Sequence, residues 1–139
     1  MDIAYTAVAH ATGDGRNGHV ADDGGALDLD LRVPADLGGP GGDYANPELL
    51  FAAGYSACFH SALKVVSMRE KADVSDSQVS ATVGIGANDS GGFELAVELD
   101  VHIPNVDEDT ARKLTEAAHA VCPYSNATRG NIDVVLNVV

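Results

Sequence analysis

The strongest constraint on this chain is a helix with no side left for water. Asn46 suits its N-cap, Pro47 stands at the first helical position, where no N–H is needed, and Glu48 puts negative charge beside the exposed amides. The segment is predicted to stay helical to about Lys71. Between Leu49 and Val66 small and apolar residues fall on every side of the helical wheel. Such a helix must be covered all round. One small sheet does this poorly, so a second subunit closing over it is expected. Ser56, His60, Ser61 and Lys64 interrupt the apolar run, which argues against a membrane span.

The flanking segments read as strands. Residues 3–11 form the first, and the turn Gly13-Asp14-Gly15-Arg16-Asn17-Gly18 returns the chain into His19-Val20-Ala21. Leu27, Leu29, Leu31 and Val33 alternate with Asp28, Asp30 and Arg32 as a half-buried third strand, ended by the Pro/Gly-rich stretch Pro34 to Ala45. Beyond the helix, Val79 to Ile85 and Phe93 to Ile103 alternate with period two and make a hairpin through Asn88 to Gly92. A second helix is expected from Asp107 or Glu108 to Val121, with Ala111, Leu114, Ala118 and Val121 on one face and Pro123 as its stop. Ile132 to Val139 is the last strand. The order β-β-β-α-β-β-α-β places the chain in the α+β class, with antiparallel sheets packed around a long buried central helix. At 139 residues, residues 1–139 are expected to form a single domain.

Charge removes several functions. Against 8 Lys and Arg stand 21 Asp and Glu, a net charge of −13. Phosphate backbones and anionic lipid both need cationic neutralisation, so neither nucleic acid nor a membrane surface is an expected partner. Such a surface would also suit a high-salt cytoplasm. The first residues lack a basic stretch followed by a continuous apolar core, so the expected location is cytoplasmic.

Two cysteines, Cys58 in the central helix and Cys122 at the end of the second, are too few for a secreted disulfide scaffold. In a reducing compartment they are either unrelated buried thiols or a redox couple assembled by the fold. Reactivity would require a nearby cation, because burial in apolar surroundings favours the protonated thiol. Arg32, Arg69 and Arg112 read as solvated. Arg16 sits in a turn with Gly15 and Gly18 to move it, and Arg129 follows Cys122 by seven residues, so both are candidates. His60, two residues from Cys58, points to another helix face, His10, His19, His102 and His119 show no ligand spacing, and no metal site is expected.

The segments Asn46-Pro47-Glu48-Leu49-Leu50-Phe51-Ala52-Ala53-Gly54-Tyr55-Ser56-Ala57-Cys58-Phe59 and Cys122-Pro123-Tyr124-Ser125-Asn126-Ala127-Thr128-Arg129-Gly130-Asn131-Ile132, with the Gly13 to Gly18 turn, resemble the signature segments of the organic hydroperoxide resistance proteins. These belong to the OsmC-like superfamily. The resemblance spans nearly the whole chain and implies a thiol peroxidase, with Cys58 as peroxidatic thiol, Cys122 as resolving thiol, and Arg16 with Glu48 as the activating pair. It further implies an intertwined homodimer with active sites at the subunit interface, no metal, haem or flavin cofactor, an organic hydroperoxide as substrate, and a lipoyl or other dithiol as reductant.

Ten positions separate Glu48 from Cys58, roughly 15 Å on a continuous helix. Glu48 therefore cannot touch the Cys58 of its own chain. Either Arg16 bridges part of the gap, the helix is broken, or the glutamate comes from the partner. An apolar substrate pocket is expected from the first helix and the Pro34 to Ala45 loop, with Phe51, Tyr55 and Phe59 as candidate lining. Two rival readings are an OsmC-type peroxidase preferring hydrogen peroxide and a non-catalytic carrier of apolar ligands with inert cysteines.

Overall fold

The structure is a computed structural model describing residues 1–139. The chain divides into two compact units, Met1–Leu50 and Phe51–Val139.

The first unit holds a three-stranded antiparallel sheet, β1 (His10–Thr12), β2 (His19–Ala21) and β3 (Asp28–Asp30), in that order. These strands are shorter than the alternation predicts. β2 ends at Ala21, where Asp22 accepts from the N–H groups of Leu27 at 2.7 Å and Gly24 at 3.1 Å to close a turn. Residues 3–9 consequently have no strand opposite them, and Ile3, Tyr5 and Val8 lie exposed. After β3 the alternation continues into Leu31, which is buried and bridges to Ala45.

Helix α1 (Pro47–Glu70) begins as expected, with the Asn46 side chain accepting from the Leu49 N–H at 2.8 Å. In the second unit its Tyr55, Phe59, Ala62, Leu63 and Val66 enter a core with Val97, Leu99 and Val101 of the sheet. The opposite side is not covered in the single chain: Val65 and Met68 are 37% and 72% exposed. The single chain thus covers one face of the helix.

The second sheet has the order β4 (Gln78–Ala87), β5 (Phe93–His102), β6 (Val134–Val138). β4 and β5 form the expected hairpin, whereas β6 runs parallel to β5, so the sheet is mixed and not wholly antiparallel. The reason lies in the connection. Between β5 and β6 come α2 (Glu108–Val121) and α3 (Pro123–Thr128), and a helical crossover returns the chain in its starting direction. Asp107 caps α2 by accepting from the Thr110 N–H at 2.8 Å, and Ala111, Leu114 and Ala118 are buried as predicted, while Val121 is 40% exposed. Pro123 does end α2. It also opens α3, an element the sequence reading lacks, because a proline at the first helical position loses no hydrogen bond.

Candidate active site

In the first unit the Arg16 turn is a short 3-10 segment, Gly15–Asn17, between β1 and β2. Gly18 closes it, and there a Cβ would stand 2.2 Å from the Thr12 carbonyl oxygen, so no larger residue fits without moving backbone. Asn17 anchors the turn, its side chain accepting from the Val33 N–H at 3.0 Å. Arg32, read from sequence as solvated, donates to the carbonyls of Asn17 and Leu31 and lies over the Tyr44 ring at 4.6 Å. These supports carry no motif, which is why periodicity did not disclose them.

Arg16 and Glu48 meet as the resemblance implies. Nη1 donates to Oε2 at 2.8 Å and Nη2 to Oε1 at 2.6 Å, a bidentate fork that fixes the guanidinium plane. The Glu48 carboxyl is held below the usual carboxylate range chiefly by these hydrogen bonds, against the opposing effect of burial. Glu48 is 12% exposed at its side chain and Arg16 39%, so the carboxylate is the fixed member and the arginine the accessible one. α1 is unbroken from Pro47 to Glu70.

In the second unit Cys58 and Cys122 come together. Their Sγ atoms are 3.7 Å apart and both thiols are free. Cys122 is fully buried at the junction of α2 and α3, whereas Cys58 is half-buried. Burial pushes the Cys58 thiol above its ordinary value, the Tyr124 backbone N–H pulls it down, and the adjacent Cys122 thiol raises it. Tyr124 reaches this position because α1 carries Gly54 there: a Cβ would stand 2.8 Å from the Tyr124 hydroxyl oxygen and 3.1 Å from a ring carbon.

A cavity of about 440 Å³ opens on Cys58, lined also by Ser61, Val65, Arg69, Val121 and Pro123. None of the three aromatics expected as lining contributes to it. Tyr55 and Phe59 are fully buried core, and half-buried Phe51 packs edge-on against Tyr55 at 6.1 Å and beside Tyr124 at 6.0 Å. Arg129 is spent locally, donating to the His119 carbonyl and the Asn126 side chain, each at 2.6 Å. His60 meets Ser77 and not the cysteines.

The OsmC-like protein family model matches residues 39–137. The chain belongs to the OsmC-like family. An organic hydroperoxide resistance protein of Xanthomonas axonopodis pv. citri is 49% identical over 137 residues, covering 98% of this chain and 95% of that protein. The crystal structure of an organic hydroperoxide resistance protein from Elizabethkingia anophelis superposes with a TM-score of 0.94 at 56% identity, covering 99% of this chain and 98% of that one. That of OhrB from Bacillus subtilis does so with a TM-score of 0.89 at 42% identity, covering 99% and 100%. Within this OsmC-like chain the α+β fold of the relatives is therefore present, with two three-stranded sheets and three helices. Relatives named for organic hydroperoxide resistance match it along nearly its whole length.

Proposed function

We propose that this OsmC-like protein is a cysteine-based peroxidase that reduces organic hydroperoxides to alcohols. The observation that carries the reading is the contact of two free thiols 3.7 Å apart beside an open cavity, one half-buried and one fully buried. The Cys58 thiolate attacks the distal peroxide oxygen, the O–O bond breaks, and the departing alkoxide takes a proton to leave as alcohol. Cys58 is then a sulfenic acid. The Cys122 sulfur attacks it, the S–O bond breaks, water leaves with the thiol proton, and a Cys58–Cys122 disulfide remains. A dithiol, for which a lipoyl group has the right chemistry, reduces that disulfide by exchange and is itself oxidised.

The first step needs thiolate, and burial works against it at Cys58. Arg16, oriented by Glu48, is the proposed source of positive charge and of hydrogen bonds to the oxygen on which charge develops. The working form is proposed to be a cytoplasmic homodimer.

The test mixes the reduced protein with a bulky organic hydroperoxide and, separately, with hydrogen peroxide. Rapid consumption of the organic substrate with loss of both free thiols supports the reading. Equal rates would point to the OsmC-type preference, and no thiol oxidation to the carrier.

A further inference from the structure

A largely buried chain of side chains, which the reaction just described does not use, links α1 to α2 and α3. Ser125, fully buried in α3, has its Oγ 2.8 Å from His119 Nδ1 and 2.9 Å from the Tyr55 hydroxyl. The Tyr55 hydroxyl is also 3.1 Å from Thr128 Oγ1, and Thr128 Oγ1 donates to the Ser125 carbonyl at 3.2 Å.

Each hydroxyl has one proton to give, so the direction of the chain follows. Thr128 spends its proton on the carbonyl and must accept from Tyr55. Tyr55, having donated, accepts from Ser125, and Ser125 in turn accepts from His119 Nδ1–H. Every group is satisfied, and His119 is assigned the tautomer protonated at Nδ1. Burial and the neighbouring Arg129 hold His119 below its ordinary value, which keeps the imidazole neutral near pH 7.

The placement gives this chain a purpose beyond packing. Tyr55 precedes Cys58 by three residues on α1, and Ser125 follows Cys122 by three residues on α3. The Tyr55–Ser125 bond therefore ties together the two backbone segments that present the thiols. We propose that the His119–Ser125–Tyr55–Thr128 chain is the positioning device for disulfide formation, holding Cys122 where it meets the oxidised Cys58 while leaving peroxide attack to other groups. The proposal rests on the peroxidase reading for its reaction, though the pairing of the thiols can be measured without it.

Ser125→Ala removes the central link and Tyr55→Phe removes one hydroxyl with its ring retained. In each, single-turnover consumption of an organic hydroperoxide by Cys58 should stay near wild type. Condensation of the sulfenic acid with Cys122 should slow by about tenfold, the scale of one buried hydrogen bond. Under excess peroxide the sulfinic form of Cys58 should accumulate correspondingly. A merely structural role would slow both steps together and would overturn the proposal, as would condensation at the wild-type rate. The equilibrium between the Cys58–Cys122 disulfide and a glutathione buffer separates the two readings. If no variant, wild type included, consumes peroxide, the peroxidase reading fails. A lowered tendency of both variants to form the disulfide would still support positioning, and an unchanged one would refute it.

Discussion

The sulfur atoms of Cys58 and Cys122 lie 3.7 Å apart although 64 positions separate them in the chain. The approach depends on a break between two helices: α2 ends at Cys122 and Pro123 starts α3 at once, so the thiol sits at a corner facing α1. In the same segment the Tyr124 N–H pulls the Cys58 thiol down. One short segment thus supplies both a second thiol and a group that favours the thiolate of the first.

From the exposure of the two thiols follows an asymmetry of roles. Cys58→Ser should abolish peroxide consumption, because the thiol that opens on the cavity is gone. Cys122→Ser should consume about one equivalent and stall with Cys58 as sulfenic or sulfinic acid. Mass spectrometry of the treated proteins distinguishes the two, and equal single-turnover activity in both would reverse or dissolve the assignment.

For the activating cation, Arg16→Ala should slow peroxide attack by two orders of magnitude or more, about 3 kcal/mol of barrier, which is typical of removing one preorganised donor to a developing oxyanion. Glu48→Gln should do less harm, since the amide still offers one acceptor to the guanidinium. Gly18→Ala should share part of the Arg16→Ala loss by displacing the turn, given the 2.2 Å approach to the Thr12 carbonyl. Arg129→Ala should leave the attack step near wild type, because that side chain is committed to His119 and Asn126. Rapid kinetics on the four variants settles the order. An inactive Arg129→Ala beside an active Arg16→Ala would transfer the role.

Much of this was legible in the sequence, for physical reasons that differ from place to place. The N-cap at Asn46 and the start of α2 at Asp107 were readable because capping is local chemistry. The β4–β5 hairpin was readable because period-two alternation survives over ten residues. The parallel seating of β6 was not read, since alternation carries no direction and only the intervening helices fix it. Arg16 and Glu48 were brought together by resemblance alone, for nothing local links residues 32 positions apart. Tyr55 and Phe59 shared an aromatic signal compatible with pocket or core, and burial assigns them to the core.

Gly54 makes room for Tyr124, so a side chain there should be felt at the sulfur. Gly54→Ala would place a methyl group 2.8 Å from the Tyr124 hydroxyl oxygen, forcing α3 or the ring to shift. An overpacking cost of about 1–3 kcal/mol is expected. Because the Tyr124 N–H is the group that lowers the Cys58 thiol, its displacement should raise that thiol further, seen as a thiolate absorbance appearing at higher pH. A variant with an unchanged titration would show that Tyr124 moves its ring without moving its backbone.

His19 should titrate above the ordinary histidine value. Its Nδ1 lies 2.8 Å from Asp30 and its Nε2 2.5 Å from Asp28, so both ring nitrogens face carboxylates and only the imidazolium can donate to both at once. The shift is upward, caused first by the Asp30 hydrogen bond and then by that of Asp28, while Asp30 is correspondingly held down. A group whose folded value is raised contributes its stability in full below the unfolded value, about 6.5, and loses it as pH climbs through the folded one. The β2–β3 pairing in the first unit should accordingly be firmest in mildly acid solution and loosen toward alkaline pH. The side chains are well exposed, so the effect should shrink with added salt. Titration of the His19 ring protons by NMR gives the value directly, and amide exchange at Val20 and Leu29 reports the loosening. In His19→Gln the exchange at these amides should lose its pH dependence beyond that of the intrinsic chemistry. A His19 that titrates at or below the ordinary value would show that the two aspartates do not hold it in solution.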